Sequence, residues 1–195
     1  MRHLRWIGFC DVFNVLAQLH KMKPYAWQGE SKGDEGFKAR YVRLLRHHNA
    51  PTPANWLENL PLHDTDELQK WRSMETLLAA ARKAIYADEV IRPRLDPSAP
   101  HGRVMLSMLR KGDILQWHAD TGPYHDRHAR FHISLLTNPF CQMQVETESV
   151  HMPVGNLWFF NNRALHTATN FGTTPRVHLI FEEPILVRDE LAEEA

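Results

Sequence analysis

From residue 101 onward the sequence changes rhythm. Short apolar runs follow one another: VMLSML (104–109), ILQW (114–117), FHISLL (131–136), MQVE (143–146), LWFF (157–160) and VHLIFE (177–182). Turn signals such as Lys111-Gly112-Asp113 and Gly155-Asn156 separate them. Regularly spaced short strands with turns between them build a β-sandwich or barrel. Residues 101–187 are therefore expected to form a β core.

The first hundred residues read differently. A short strand leads to Asp11, which can cap a helix carrying Val12, Val15, Leu16 and Leu19 at helical spacing, with Pro24 beyond its end. QGESKGDEG (28–36) reads as a polar loop. FKARYVRLLRHH (37–48) carries Lys38, Arg40, Arg43 and Arg46, a solvated basic face or a carboxylate-binding surface. Pro51, Pro53 and Pro61 break up the next stretch. Asp64 and Glu67 resemble a capping box, and Leu68, Trp71, Met74, Leu78, Ala81 and Ile85 then recur at helical spacing. RPRLDPSAP (92–100) stops that helix. The expectation is a helical N-terminal region, residues 1–100, packed on the β core within one domain. An acidic tail, 188–195, follows the core.

Composition excludes several partners. Lys and Arg balance Asp and Glu, 23 against 23, so no net field draws nucleic acid or an anionic membrane, and neither partner is expected. Cys10 and Cys141 make no disulfide or zinc pattern, which suits a reducing, cytoplasmic setting. The basic and apolar opening MRHLRWIGFCDVFNVLAQL is interrupted by Asp11 and Asn14 and lacks a small-residue cleavage site, unlike a signal peptide.

The chemistry gathers in the β half. In LQWHADTGP (115–123), His118 and Asp120 lie two apart on a strand end and so share a face. In a chain with 13 His and 23 acidic residues, one such triplet is no more than chance supplies. A metal site needs a third ligand, and His125, His128, His132, His151, His166 and His178 are available. RFHISL (130–135) and RVHLIF (176–181) repeat an Arg-x-His pattern. Alternation puts Phe131, Ile133 and Leu135 on one face and Arg130, His132 and Ser134 on the other. It likewise separates Val177, Leu179 and Phe181 from Arg176 and His178. Two such strands in a small β domain favour a polar barrel interior. His118, Asp120 and His166 together would form a facial triad that leaves positions open, suited to non-haem iron(II). A zinc site would use three protein ligands and a water.

The ordered set HAD (118–120), RFH (130–132), GNLWFF (155–160), LHTATN (165–170) and RVHL (176–179) resembles the aspartyl/asparaginyl β-hydroxylase family of Fe(II)- and 2-oxoglutarate-dependent oxygenases. The stretch from VHMPVGNLWFF to PRVHLIFE is most similar to its bacterial proline cis-4-hydroxylase branch. The resemblance covers roughly residues 103–182. It implies a mainly β fold, a double-stranded β-helix of the jelly-roll or cupin-like kind. It implies iron ligands His118, Asp120 and His166, and Arg176 with Ser107 on the distal carboxylate of the 2-oxoglutarate cosubstrate. Arg130 and His132 match residues near cosubstrate and substrate.

The implied activity is hydroxylation of a C–H bond of an amino acid or an amino-acid-containing small molecule, using O2 and releasing succinate and CO2. The partner is then a small-molecule or peptide substrate. Three other readings stand beside it: hydroxylation of Asp or Asn side chains in a protein, a non-catalytic jelly-roll binding protein, and a zinc hydrolase or lyase. The last leaves Arg176 and Ser107 without a task. His125 and His128 in GPYHDRHAR (122–130) are expected in a solvated loop over the site, and Trp117, Trp158 and Phe160 in packing.

Overall fold

The computed structural model describes residues 3–19, 40–45 and 65–186. The loop at 28–36, the proline-rich stretch, Asp64 and the acidic tail fall outside them. Two antiparallel sheets face each other. The larger has strand order β1-β8-β5-β10-β3-β2, formed by β1 (Leu4–Phe9), β8 (Asn156–Phe160), β5 (His128–Leu136), β10 (Arg176–Pro184), β3 (Val104–Leu109) and β2 (Arg40–Leu45). The smaller runs β4-β9-β6-β7, from β4 (Ile114–His118), β9 (His166–Asn170), β6 (Cys141–Val145) and β7 (Glu148–Val150). This is the expected mainly β, double-stranded β-helix architecture, with α1 (Phe13–Leu19) and α2 (Thr65–Ala87) packed on it.

The first hundred residues are not purely helical. β1 pairs with β8 at one edge of the large sheet and β2 with β3 at the other. In the β2 sequence the frequent basic residues hide the alternation by which a strand is usually recognised.

The period of two in β5 and β10 sorts their side chains between two environments. Phe131, Ile133, Leu135, Val177, Leu179 and Phe181 point outward into the main core. There they meet Val15 and Leu19 of α1 and Met74, Leu77, Ala81 and Ile85 of α2. Burying each large side chain contributes about 1.5–3 kcal/mol, which makes this the principal seam of the molecule. Helix α2 is also tied by Arg82, whose Nε lies 2.9 Å from the buried Glu183 carboxylate, and by the Tyr86 hydroxyl, which donates to Glu183 at 3.1 Å. Asp11 caps α1 as expected, accepting from the Phe13 N–H at 3.0 Å.

A smaller apolar cluster, including Leu109, Met143, Val145, Phe160 and Ala168, fills part of the space between the sheets. Beside Met105 and Ile180, many of the other residues lining the cavity are polar. The expected polar barrel interior is therefore present, and Arg130, His132, Arg176 and His178 all belong to it or its rim.

Candidate functional site

Each of the seven residues singled out from the sequence lines one cavity of about 200 Å³ between the sheets: Ser107, His118, Asp120, Arg130, His132, His166 and Arg176. β4 and β9 bring two of them together directly. His118 ends β4 and stands opposite His166, the first residue of β9, with ring centroids 4.2 Å apart. Asp120 follows β4, and its Oδ1 lies 3.8 Å from His118 Nε2. One ligand atom from each of His118, Asp120 and His166 falls within 4.8 Å of the others.

The two imidazoles are held in the same tautomer. His118 Nδ1 is 2.8 Å from the Gln116 carbonyl, and His166 Nδ1 is 2.9 Å from the Ala164 carbonyl. A carbonyl can only accept, so each Nδ1 carries a proton and each Nε2 is the ring nitrogen left to face a metal. Burial lowers the His166 pKa to about 4, so this ring is neutral at pH 7. Burial alone would raise the Asp120 pKa, but the Arg130 charge and the Asn162 amide outweigh it and hold the carboxyl below its usual range. A neutral His166 and an ionised Asp120 carboxylate are protonation states that suit a divalent metal.

The mouth of the cavity is a chain of paired charges. Asn162 donates to Asp120 Oδ2 at 3.0 Å, and Arg130 Nη1 donates to the same oxygen. Arg130 also donates to Glu182 Oε1 through Nε at 2.9 Å and Nη2 at 2.6 Å. These two residues are register partners across β5 and β10. The Tyr124 hydroxyl donates to Glu182 Oε2 at 2.6 Å and accepts from the Arg103 backbone N–H at 2.9 Å. Gly102 makes that docking possible, because a Cβ there would lie 2.4 Å from the Tyr124 oxygen.

The floor is different. Arg176 is 4% exposed, and its Nη2 donates to His178 Nδ1 at 3.1 Å. No carboxylate among the described residues pairs with it. Burial lowers its pKa to about 10, which still leaves a cation at neutral pH. His178 Nδ1 is also 3.3 Å from His132 Nδ1, while His132 Nε2, His178 Nε2 and Ser134 Oγ are buried without hydrogen-bond partners among the described residues. A buried cation among unsatisfied polar atoms is costly unless an anionic guest completes it. Ser107, on β3 beside His178 of β10, lines the same cavity.

Several residues were not found from the sequence. Asn162 simply follows the aromatic run LWFF and Glu182 ends the run VHLIFE, and their roles depend on contacts across the fold. His125, expected in a solvated loop, instead helps line the cavity, with Nδ1 3.4 Å from the Asn162 amide nitrogen. Trp117 is 49% exposed rather than packed, because β4 turns it away from the cavity, whereas Phe160 is buried as expected.

A family model described as aspartyl/asparaginyl β-hydroxylase matches residues 58–183. L-Proline cis-4-hydroxylase of Rhizobium meliloti (strain 1021) is 29% identical over 97 residues, which are 50% of this chain and 34% of that protein. The match thus spans about a third of the curated relative's length. Among solved structures, a prolyl-4-hydroxylase from Pseudomonas putida superimposes with a TM-score of 0.56 at 12% identity, covering 96% of this chain and 95% of that one. A prolyl hydroxylase from Trichoplax adhaerens, solved with a hypoxia-inducible-factor peptide, gives 0.61 at 10% identity, over 93% and 83% of the two chains. At these identities the structural likeness establishes the shared fold.

Proposed function

The chain belongs to the aspartyl/asparaginyl β-hydroxylase family, and from that premise we propose that it is an Fe(II)- and 2-oxoglutarate-dependent oxygenase. Its substrate is an amino acid or an amino-acid-containing small molecule. The observation that carries this reading is Arg176, a buried cation without a carboxylate partner among the described residues, in the same cavity as a two-histidine, one-carboxylate cluster. A guest that ligates a metal at one end and presents a carboxylate at the other fits both halves of the cavity. The zinc alternative accounts for the cluster alone.

In this reading His118, Asp120 and His166 hold iron(II) and leave adjacent positions open. Arg176 takes the distal carboxylate of 2-oxoglutarate through its planar fork, and the Ser107 hydroxyl adds a neutral hydrogen bond. Arg130 and His132 lie on β5 and line the same cavity. When bound, iron and 2-oxoglutarate supply the oxidation, with one oxygen atom of O2 going to the substrate carbon and the other to succinate as CO2 is released. The protein places the reactants and keeps the cavity dry: Phe160, Met143, Leu115, Ala168 and Ile180 form its apolar walls.

The likeness to a proline hydroxylase makes L-proline the first substrate to try. Iron-loaded protein would be given 2-oxoglutarate, O2 and either free amino acids, L-proline first, or Asp- and Asn-containing peptides. Succinate release and gain of one oxygen in the product would be followed. Turnover is expected with a free amino acid, and His166→Ala should abolish it. Undiminished turnover in His166→Ala contradicts the ligand assignment. Product from the peptides alone favours side-chain hydroxylation in proteins.

A further inference from the structure

We propose that Asn162, together with the Arg130–Glu182 pair, is a positioning device that makes Asp120 a one-oxygen ligand. The inference rests on the metal reading above and adds which oxygen binds and what fixes it. Residue 162 grips Asp120 twice. Its backbone carbonyl accepts the Asp120 N–H at 2.8 Å, and its side-chain amide donates to Oδ2 at 3.0 Å. Asn162 is 3% exposed, so this amide is committed to the site rather than to solvent. Arg130 donates to the same Oδ2 from β5 of the larger sheet.

Arg130 cannot swing away at low cost, because Glu182 receives two of its N–H groups and is itself held by Tyr124. Oδ2 thus receives two donors, one of them charged, while Oδ1 is the oxygen turned toward His118 Nε2. A carboxylate unrestrained in this way can rotate or bind a cation through both oxygens. With Oδ2 occupied it offers one. That preserves open coordination positions, which a two-oxygen ligand would reduce. Neighbours of this kind commonly set ligand orientation and metal affinity.

The test uses the metal-free full chain titrated with Co(II), whose visible bands report coordination number. Wild type, Asn162→Ala and Glu182→Gln would be compared, with melting of each metal-free protein measured beside the titration. Asn162→Ala is expected to bind Co(II) about 10- to 100-fold more weakly and to change the shape of the visible bands. Glu182→Gln keeps the side-chain shape but releases the brace on Arg130, and a loss of about tenfold is expected. A purely structural role would lower the melting temperature and leave affinity and spectrum alone; that result overturns the proposal. If Asn162→Ala does not fold, Glu182→Gln decides on the same criteria. A wild type that takes no Co(II) overturns the metal reading, and this inference with it. A wild type that binds while both folded variants match it overturns the inference alone.

Discussion

Arg130 and Arg176 stand on neighbouring strands of one sheet and line the same cavity, yet their electrostatic surroundings are opposite. Arg130, at the mouth, lies between Asp120 and Glu182 and is bonded to both. Arg176, on the floor, is more deeply buried and is paired with no carboxylate among the described residues. The mouth is satisfied by the protein's own groups. The floor is left with charge uncompensated, as a binding site for an anion must be. In the proposed function the difference separates a residue that organises the site from one that receives a guest, although both are arginines followed by x-His in the sequence.

The comparison can be broken by removing each charge in turn. Arg130→Met leaves Asp120 and Glu182 buried without their shared cation, and the metal-free protein should lose about 3–5 kcal/mol in urea unfolding. Arg176→Met should act with the opposite sign. It removes a buried charge that has no carboxylate partner and inserts an apolar chain of similar length, so the metal-free protein should gain about 1–4 kcal/mol. Two changes of the same sign would mean that the two arginines do not differ as described.

The pH profile sharpens the same contrast. Burial holds His166 at about 4 and lowers His132 and His178 well below the ordinary imidazole value. These rings bind protons more weakly in the folded chain than in the unfolded one, so stability present above pH ~6.5 is lost as pH falls toward 4. Asp120 and Glu182 are shifted below the ordinary carboxylate range, because their partners outweigh the effect of burial. Their contribution should persist through that window and fall only in stronger acid. Melting temperature against pH should therefore decline in two stages. A profile flat from pH 7 to 4 would contradict the burial of the imidazoles.

Much of the fold was legible because β5 and β10 alternate strictly. Phe131, Ile133 and Leu135 reach the core while Arg130 and His132 reach the cavity, as period two requires. Legibility failed where a role depends on partners distant in sequence. Glu182 ends an apolar run and acquires meaning only through its register with Arg130, 52 residues earlier. Asn162 looks like an ordinary turn residue until the chain folds Asp120 onto it. The β2 strand escaped recognition for a local reason, since its arginines obscure any apolar alternation.

The central claim is that the floor cation and the metal cluster hold two ends of one molecule. The most direct measurement adds Fe(II) and then 2-oxoglutarate to the metal-free protein without oxygen and follows the visible charge-transfer band of the chelate. Wild type should develop the band, and Arg176→Met should need about 10- to 100-fold more 2-oxoglutarate to reach it, the loss of charged hydrogen bonds worth about 1.5–3 kcal/mol. No band in wild type, or the same 2-oxoglutarate dependence in both proteins, would contradict the account.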